Sequence, residues 1–262
     1  MAFATATLVN LVENKELVLN FLESKGIISE IKSKCNLYMQ NSDSDNKTVP
    51  LFFALRIEFE EVKKKLIELI TNLPLHFLSI LNEVIQSIAN NYLRDCGCEL
   101  FIQIQQIHSS FVVINLPQRE YTFSIYKEYI NTSLSTFSCI ISSRKPIEKY
   151  ILQSTWKCTL CFNSPLIIVQ KQKTVHKAPK CQICYKDCTE LILNRVSSNF
   201  CSARVFETNI LKNRKNYPTV SSLEIRLFDD ICQDLKIGQE YIVTGIYDVF
   251  NKFYNVFSIS LV

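Results

Sequence analysis

The chain has 262 residues, 47% hydrophobic and 21% charged, a composition that excludes an intrinsically disordered protein and allows one large domain or two small ones. Only four residues are glycine, and no G-x-x-x-x-G-K-S/T or G-x-G-x-x-G run occurs, which excludes nucleotide binding by the common glycine-rich loops. The net charge is +4, but residues 140–215 carry fourteen Lys or Arg against four acids, a balance of +10 that leaves −6 for the rest of the chain. This basic segment indicates either an anionic partner or solvated lysines on loops.

Nothing in the sequence indicates secretion or membrane insertion. The first ten residues lack the basic region, long apolar core and small-residue cleavage site of a secretory signal. No stretch reaches the roughly 18 uninterrupted apolar residues that a membrane-spanning helix needs. We therefore expect the eleven cysteines to be free thiols or metal ligands in a reducing compartment.

The N-terminal part has the pattern of a helical subdomain. Apolar residues between Leu8 and Leu22 recur at spacings of three and four, and Gly26 predicts the end of this helix. A polar loop is expected over residues 41–47, and the short apolar segment 51–59 fits either a strand or the start of a buried helix. Further helices are predicted over residues 60–71 and, after a break at Pro74, over residues 75–93.

From about residue 98 the apolar pattern alternates with a period of two, which is typical of strands. Strands are predicted over residues 100–105, 111–114, 121–125, 137–141, 166–169, 223–227, 241–246 and 253–262. Many short strands separated by polar turns favour a small barrel or sandwich over a parallel sheet.

Two C-x2-C pairs, Cys158/Cys161 and Cys181/Cys184, interrupt the predicted strands nineteen residues apart. Each C-x2-C turn directs two thiolates at one ion, and a hairpin with arms over residues 166–169 and 171–175 would return the second pair, which is the spacing of a zinc ribbon. Cys188 in place of Cys184, or His176 as an intruding ligand, remains an alternative. Four thiolates leave no open position on zinc, so the metal would be structural, with a binding energy of roughly 10–16 kcal/mol in model peptides.

The remaining six cysteines have no metal-ligand spacing, and we expect them to be ordinary buried thiols. They are Cys35, Cys96, Cys98, Cys139, Cys201 and Cys232.

Four segments of the chain resemble the N-terminal domain of minichromosome maintenance (MCM) proteins. LIELITNLPLHFLSIL (66–81) is similar to a Leu-rich turn leading to a proline, FSCII (137–141) to the V-S-G-x-V strand before the first knuckle, and ARVFETNI (203–210) to the D-x-Q-x-I-x-I strand. LEIRLFDDICQDLKIGQEYIVTGIY (223–247) is similar to the family's run of strand, D-D-L, helical turn, P-G-D and V-x-V-T-G. The matching residues in that run are Asp229, Asp230, Gly238, Thr244 and Gly245.

The departures from the family pattern indicate a divergent member. Cys139 replaces the glycine of V-S-G, the Q-E after the I-x-I strand is absent, and Pro218 is followed by Thr219 instead of Arg. The segment YDVFNKFY (247–254) predicts a tight turn around Asn251, with Lys252 as its only cation, where replicative members have a long basic DNA-contacting hairpin. We expect the chain to end with this barrel and to lack the AAA+ motor. It is most similar to the meiotic MCM-domain-containing branch, in which insects divide the N-terminal domain and the motor-like part between two polypeptides.

The resemblance implies an α+β fold with three parts. A helical N-terminal subdomain is expected over residues 1–95, an OB-type β-barrel over residues 96–156 and 188–262, and a zinc ribbon inserted over residues 157–187. It also implies a non-catalytic nuclear module that assembles with other MCM-like subunits, including one carrying the AAA+ part, and that promotes crossovers in meiotic recombination.

The alternative function is direct binding of single-stranded DNA, because OB barrels present grooves with stacking aromatics and cations. Phe250, Phe253 and Tyr254 are either stacking residues or, as strand spacing favours, core residues. The candidate phosphate contacts are Lys171, Lys173, Lys212, Arg214, Lys215 and Lys252, with Lys177 and Lys180 nearby.

Catalysis is not expected. His76, His108 and His176 are each isolated from any set of acid and nucleophile, so no base with an orienting acid can be assigned. The pair Asp229–Asp230 at a strand end is more typical of a cap for the following turn than of a metal site.

Overall fold

A computed structural model describes residues 2–40, 49–117, 133–161, 165–172, 174, 177–212, 222–232, 235–248 and 251–262. The chain divides into two compact units. The first contains Met1–Phe53, His76–Ser110 and Tyr150–Ser197, and the second contains Ala54–Leu75, Phe111–Lys149 and Ser198–Val262. The polar loop over residues 41–47 and the strand over residues 121–125 lie outside the described residues.

Most helices lie in the N-terminal part of the chain and most strands follow them, as in an α+β protein. The helices are α1 (Ala2–Ser24), α2 (Ile27–Gln40), α3 (Lys64–Asn72), α4 (Pro74–Asp95) and the short α5 (Thr208–Lys212). The strands are β1 (Leu51–Glu58), β2 (Ile107–Ile114), β3 (Ser135–Arg144), β4 (Glu148–Lys157), β5 (Leu166–Gln172), β6 (Thr189–Glu190), β7 (Val196–Glu207), β8 (Leu223–Phe228), β9 (Glu240–Asp248) and β10 (Phe253–Leu261). In the described part of the chain, no helix combines the length and the apolar composition that crossing a bilayer requires.

The predicted first helix and its end at Gly26 are confirmed. Gly26 has a φ of 68°, the left-handed conformation that glycine adopts without a Cβ penalty. The Ser24 hydroxyl donates to the Phe21 carbonyl at 2.8 Å and closes the last turn. The chain re-enters a helix at once, because α2 begins at Ile27 and buries Ile31, Cys35 and Tyr38 on one face.

The ambiguous segment 51–59 is a strand, since its odd residues from Leu51 to Ile57 are buried and the even ones are exposed or partly exposed. The helix predicted over residues 60–71 begins later, at Lys64, because Phe59–Glu61 forms a 3-10 turn and Lys63 has extended backbone. The predicted break at Pro74 is confirmed: α3 ends at Asn72, and Pro74 is the first residue of α4, where a missing N–H costs nothing.

The strand predicted over residues 100–105 is wrong. Ile104–Gln106 is a 3-10 turn, and the strand starts only at Ile107. Side chains of α4 replace the ladder partner: the Asn90 amide donates to the Ile102 carbonyl at 3.1 Å and accepts from its N–H at 2.9 Å. Because the Asn90 side chain satisfies the N–H and C=O groups of Ile102, this residue needs no neighbouring strand.

The second unit contains a closed five-stranded barrel, which confirms the predicted OB-like barrel. The strand order is β3-β9-β10-β8-β7, and β3 also pairs with β7 to close the ring. All of these neighbours are antiparallel except β10 and β8, which run parallel. The barrel interior contains apolar residues from every strand, among them Phe137, Val205, Ile225, Val243 and Tyr254.

In the first unit, β4 pairs with β5 and β6 in antiparallel register. The hairpin predicted with arms over residues 166–169 and 171–175 is wrong, because Leu166–Gln172 is one continuous strand whose partner is β4. No strand was predicted for β4 itself. Its consecutive residues from Tyr150 to Trp156 are all buried, including the polar Gln153, Ser154 and Thr155, so the alternating pattern that marks a half-buried strand is missing.

Candidate metal centre

The two cysteine turns follow different parts of the fold, and backbone hydrogen bonds close the second one. Cys158 follows directly on the end of β4. The second turn is closed from both sides, since the Cys181 N–H donates to the Lys186 carbonyl at 2.8 Å and the Tyr185 N–H donates to the Cys181 carbonyl at 3.0 Å. A backbone bridge between Lys180 and Asp187 extends this closure by one step.

The four predicted cysteine ligands lie together. The Sγ atoms of Cys158, Cys161, Cys181 and Cys184 are all within 4.8 Å of one another, and those of Cys158 and Cys184 are 3.5 Å apart. Tetrahedral zinc with Zn–S bonds of about 2.3 Å places its sulfurs roughly 3.8 Å apart. The donor set and its spacing therefore fit one tetrahedral ion held by four thiolates, and such a set leaves no position for substrate.

Backbone N–H groups favour the thiolate form at the first cysteine of each turn. The Cys161 N–H lies 3.4 Å from Cys158 Sγ, and this bond and one from Leu160 lower the Cys158 pKa. The N–H groups of Cys184 and Ile183 lower the pKa of Cys181 to about 6. Since the thiolate is the form that binds metal, both turns are prepared for a cation.

The second cysteine of the first turn, Cys161, keeps its proton in the absence of positive charge. The pKa of Cys161 is raised to about 12, first by its hydrogen bond with Cys184. A closely packed set of thiols holds its last protons until a cation neutralises it, which couples metal binding to proton release.

Cys188 lies beside the cluster but outside the four-sulfur set. It is buried against Cys158 and Cys181, and burial raises its pKa, as expected for a packed thiol. This geometry favours Cys184 over Cys188 as the fourth ligand. His176 lies outside the described residues.

The expectation that the other six cysteines are buried is only partly correct. Cys35, Cys139, Cys201 and Cys232 are buried, but Cys96 is exposed and Cys98 is partly exposed. Both lie at the end of α4, where Gly97 has a φ of 70° and the chain leaves the helix on the surface.

Apolar side chains cover the cysteine cluster. Trp156 is buried against it, and Leu166 and Ile168 of β5 pack on the same cluster. The Trp156 indole N–H donates to the Ser154 hydroxyl at 2.9 Å, so the ring is fixed from the β4 side. The cysteine spacing does not predict that Trp156 belongs to the centre, although its position two residues before Cys158 is a signal for it.

Glu190 and Arg195 form a two-pronged ion pair beside the same lobe, and it was also not foreseen. Arg195 donates to the two Glu190 oxygens at 2.9 and 2.6 Å. The pair spans the 3-10 turn Ile192–Asn194, and it raises the pKa of Arg195. It fixes the chain where β6 leaves the lobe.

The candidate phosphate contacts are only partly described. Lys212 is exposed and lies 3.6 Å from Glu240, and Lys252 is exposed in the turn before β10 with a φ of 58°. Lys171 belongs to β5, but its side chain is not described. Lys173, Arg214 and Lys215 lie outside the described residues.

The candidate stacking aromatics of the barrel are core residues where they are described. Phe253 and Tyr254 are buried, and the Tyr254 hydroxyl donates within the barrel to backbone carbonyls of Ser135 and Gly245. The Arg226 guanidinium covers the Phe253 ring at 3.4 Å from its centroid. Phe250 lies outside the described residues.

The chain matches no protein-family model and no curated protein. Among solved structures it is similar to the N-terminal domain of an archaeal MCM, with a TM-score of 0.66 over 96% of this chain and 99% of that one. The chain has an MCM N-terminal-like fold. Sequence identity to that domain is 14%, so the likeness is one of fold alone.

Proposed function

We propose that this chain is a non-catalytic MCM-like module, with structural zinc held by Cys158, Cys161, Cys181 and Cys184. It assembles in the nucleus with other MCM-like subunits, including a separate one that carries the AAA+ motor. The observation that carries this proposal is the fold likeness, which extends over nearly the full length of both this chain and an MCM N-terminal domain. Since fold alone does not give function, the arrangement of the candidate site supplies the second argument.

The chemistry of the described residues supports a structural role. A four-thiolate centre presents no open coordination site, so its metal stabilises the lobe and activates no water. His108 Nε2 lies 3.0 Å from the amide oxygen of Gln153. Its partner at that distance is a neutral amide and not the carboxylate that orients a catalytic histidine. Asp229 accepts a hydrogen bond from the Ser198 hydroxyl and starts the 3-10 turn Asp229–Cys232.

The biological role that we propose is promotion of crossovers in meiotic recombination. It rests on the departures from the MCM pattern, such as Cys139 in place of the glycine of V-S-G, and on the short turn between β9 and β10, where only four residues separate Asp248 from Phe253. A turn of this length offers little surface to a DNA strand, which favours a task in holding neighbouring subunits.

Co-purification tests the assembly. The full-length chain, tagged and expressed at its natural level in meiotic cells, is expected to elute with a motor-bearing MCM-like subunit in a stable complex. Size-exclusion chromatography of the extract measures the mass. A tagged chain that elutes only as a 30.3 kDa monomer at natural concentration would contradict the proposal.

Direct binding of single-stranded DNA is the second candidate, favoured by the exposed cations Lys177, Lys180, Lys212 and Lys252. The burial of Phe253 and Tyr254 weighs against it, because neither ring can stack on a base without leaving the core. Fluorescence anisotropy with a labelled oligonucleotide distinguishes the two. A DNA-binding protein shows an affinity that falls steeply between 50 and 200 mM salt, on the order of 10³-fold for six phosphate contacts, whereas an assembly module shows no binding at low salt.

A further inference from the structure

The tips of the two cysteine turns expose large apolar side chains. Leu160 is 57% exposed, Ile183 63% and Tyr185 75%. Single exposed apolar residues are ordinary on protein surfaces. These three are different because they belong to two turns that the same four sulfurs hold together, and we call them the knuckle patch.

The metal centre brings the members of the knuckle patch together. Leu160 lies between Cys158 and Cys161, and Ile183 lies between Cys181 and Cys184, whose sulfurs are all within 4.8 Å of one another. The N–H of each residue also faces the sulfur of the first cysteine in its turn. Tyr185 follows Cys184 directly, so all three residues belong to the two turns that meet at one candidate metal site.

Tyr185 occupies a backbone conformation that suits a smaller residue. Its φ is 59°, in the left-handed region where a residue with a Cβ loses roughly 1–2 kcal/mol and glycine loses nothing. A ring that is 75% exposed gains little from core packing, so burial does not offset this cost. Contact with another molecule would bury the ring and offset this cost.

The surroundings of the knuckle patch are positively charged. Residues 157–188 contain six lysines and one acid, Asp187, a balance of +5. Zinc bound by four thiolates adds −2, which leaves the lobe at about +3. Among these lysines, Lys157, Lys177, Lys180 and Lys186 are exposed.

We propose that the knuckle patch docks an acidic amphipathic segment of a partner subunit, with apolar side chains against Leu160, Ile183 and Tyr185 and carboxylates toward the lysines. Contact between the knuckle patches of two copies of this chain does not fit, because it would place one positive lobe against another. Nucleic acid would pair with the lysines and stack on Tyr185, but it would leave Leu160 and Ile183 without an apolar partner. The segment belongs to the complex proposed above, so this inference rests on that function.

Photo-cross-linking in the full-length complex identifies the occupant. Tyr185→p-benzoylphenylalanine in meiotic cells is expected to cross-link to a partner peptide rich in Asp, Glu and large apolar residues, read by mass spectrometry. The same probe at Leu75, an exposed residue at the start of α4, serves as the control and is expected not to capture that peptide. A cross-link to a second copy, to nucleic acid or to nothing overturns the inference.

Two substitutions measure the contribution of the patch to the complex. Leu160→Glu and Tyr185→Gly are each expected to weaken co-purification of the partner about tenfold or more. Tyr185→Gly relieves the backbone strain, so retained zinc and unchanged thermal stability show that any loss is one of binding. Leu75→Glu is the matched control, because an acid in the first helical turn is favourable and its side chain is equally exposed, at 59%.

The outcomes separate this inference from the proposed function. If no MCM-like subunit co-purifies with the unmodified chain, the proposed function fails and the inference fails with it. If the complex forms and withstands both patch substitutions, the inference alone fails.

Discussion

At the residue scale, the metal centre depends on a choice between two neighbouring cysteines. Cys184 contributes its sulfur to the four-atom cluster, whereas Cys188 is buried beside the cluster with a raised pKa. The two thiols are four residues apart, yet only Cys184 belongs to the set of sulfurs that could hold a metal ion, and Cys188 packs beside it.

Replacing each of these cysteines separately tests the assignment. Cys184→Ser is expected to lose bound zinc, because three thiolates and a neutral hydroxyl bind the ion far more weakly. Cys188→Ser is the matched control and is expected to keep one zinc per chain, measured by mass spectrometry of the metal. The reverse pattern of zinc retention would transfer the fourth ligand to Cys188.

The buried thiols outside the centre are expected to be unreactive at neutral pH. Burial raises the pKa of Cys35 to about 11 and that of Cys139 to about 12, above the usual 9.0. The folded state therefore favours the protonated thiols, and this preference contributes to the stability of the protein. The contribution is complete below pH 9 and is lost as the pH rises through 11–12. Iodoacetamide at pH 8 should alkylate the exposed Cys96 first, as peptide mass spectrometry would show. Equal rates at Cys96 and Cys139 in the folded protein would disprove this order.

At the element scale, the junction of β9 and β10 explains a glycine that the sequence marked only by resemblance. Gly245 pairs with Val256, and a Cβ added at Gly245 would lie 2.0 Å from the Asn255 carbonyl oxygen and 2.7 Å from the Tyr254 ring. The two strands approach too closely here for any side chain. The glycine of V-T-G is therefore required by the barrel packing and has no unusual φ.

Gly245→Ala is expected to destabilise the protein by about 3 kcal/mol, because a backbone atom cannot move aside as a flexible side chain can. Urea unfolding followed by circular dichroism measures the change. Gly238→Asn is the control: its Cβ would meet nothing within 4 Å, so the substitution costs only the backbone strain of a φ of 84°, roughly 1–2 kcal/mol. A Gly245→Ala variant as stable as the control would refute the close approach of the strands.

At the scale of the whole molecule, the single tryptophan reports on the metal centre. Trp156 is packed against the cysteine cluster in the first unit, whereas the barrel of the second unit has its own apolar core. Metal loss is therefore expected to change the lobe around Trp156 while the barrel strands persist.

Chelation tests this expectation. Removing zinc with 1,10-phenanthroline should shift Trp156 emission to longer wavelength as water reaches the ring, while the strand signal in circular dichroism is largely kept. Adding Zn²⁺ should restore the emission, and Mg²⁺, which prefers oxygen ligands, should not. Unchanged emission after verified metal removal would show that the lobe folds without the ion.

The sequence by itself determined the four-cysteine set and most strands of the barrel. The C-x2-C turns are local, so their spacing predicts that each pair faces one ion, and strands such as β8 and β10 have the strong apolar pattern that a barrel interior imposes. The resemblance of residues 223–247 to the MCM pattern also anticipated the fold that the solved structures confirm.

Only the tertiary structure decided the features that depend on distant partners. The Ile102 segment has an alternating pattern but no strand, because Asn90 from α4 takes its backbone hydrogen bonds. β4 is a strand although it has no alternating pattern. The pattern is missing because its polar residues are buried together with the apolar ones. The apolar period depends only on which faces of a segment are exposed to water. It therefore cannot identify a backbone partner in another element or a segment that is buried on both faces. That is why the choice of Cys184 over Cys188, the packing of Trp156 and the close approach at Gly245 emerged from the folded chain.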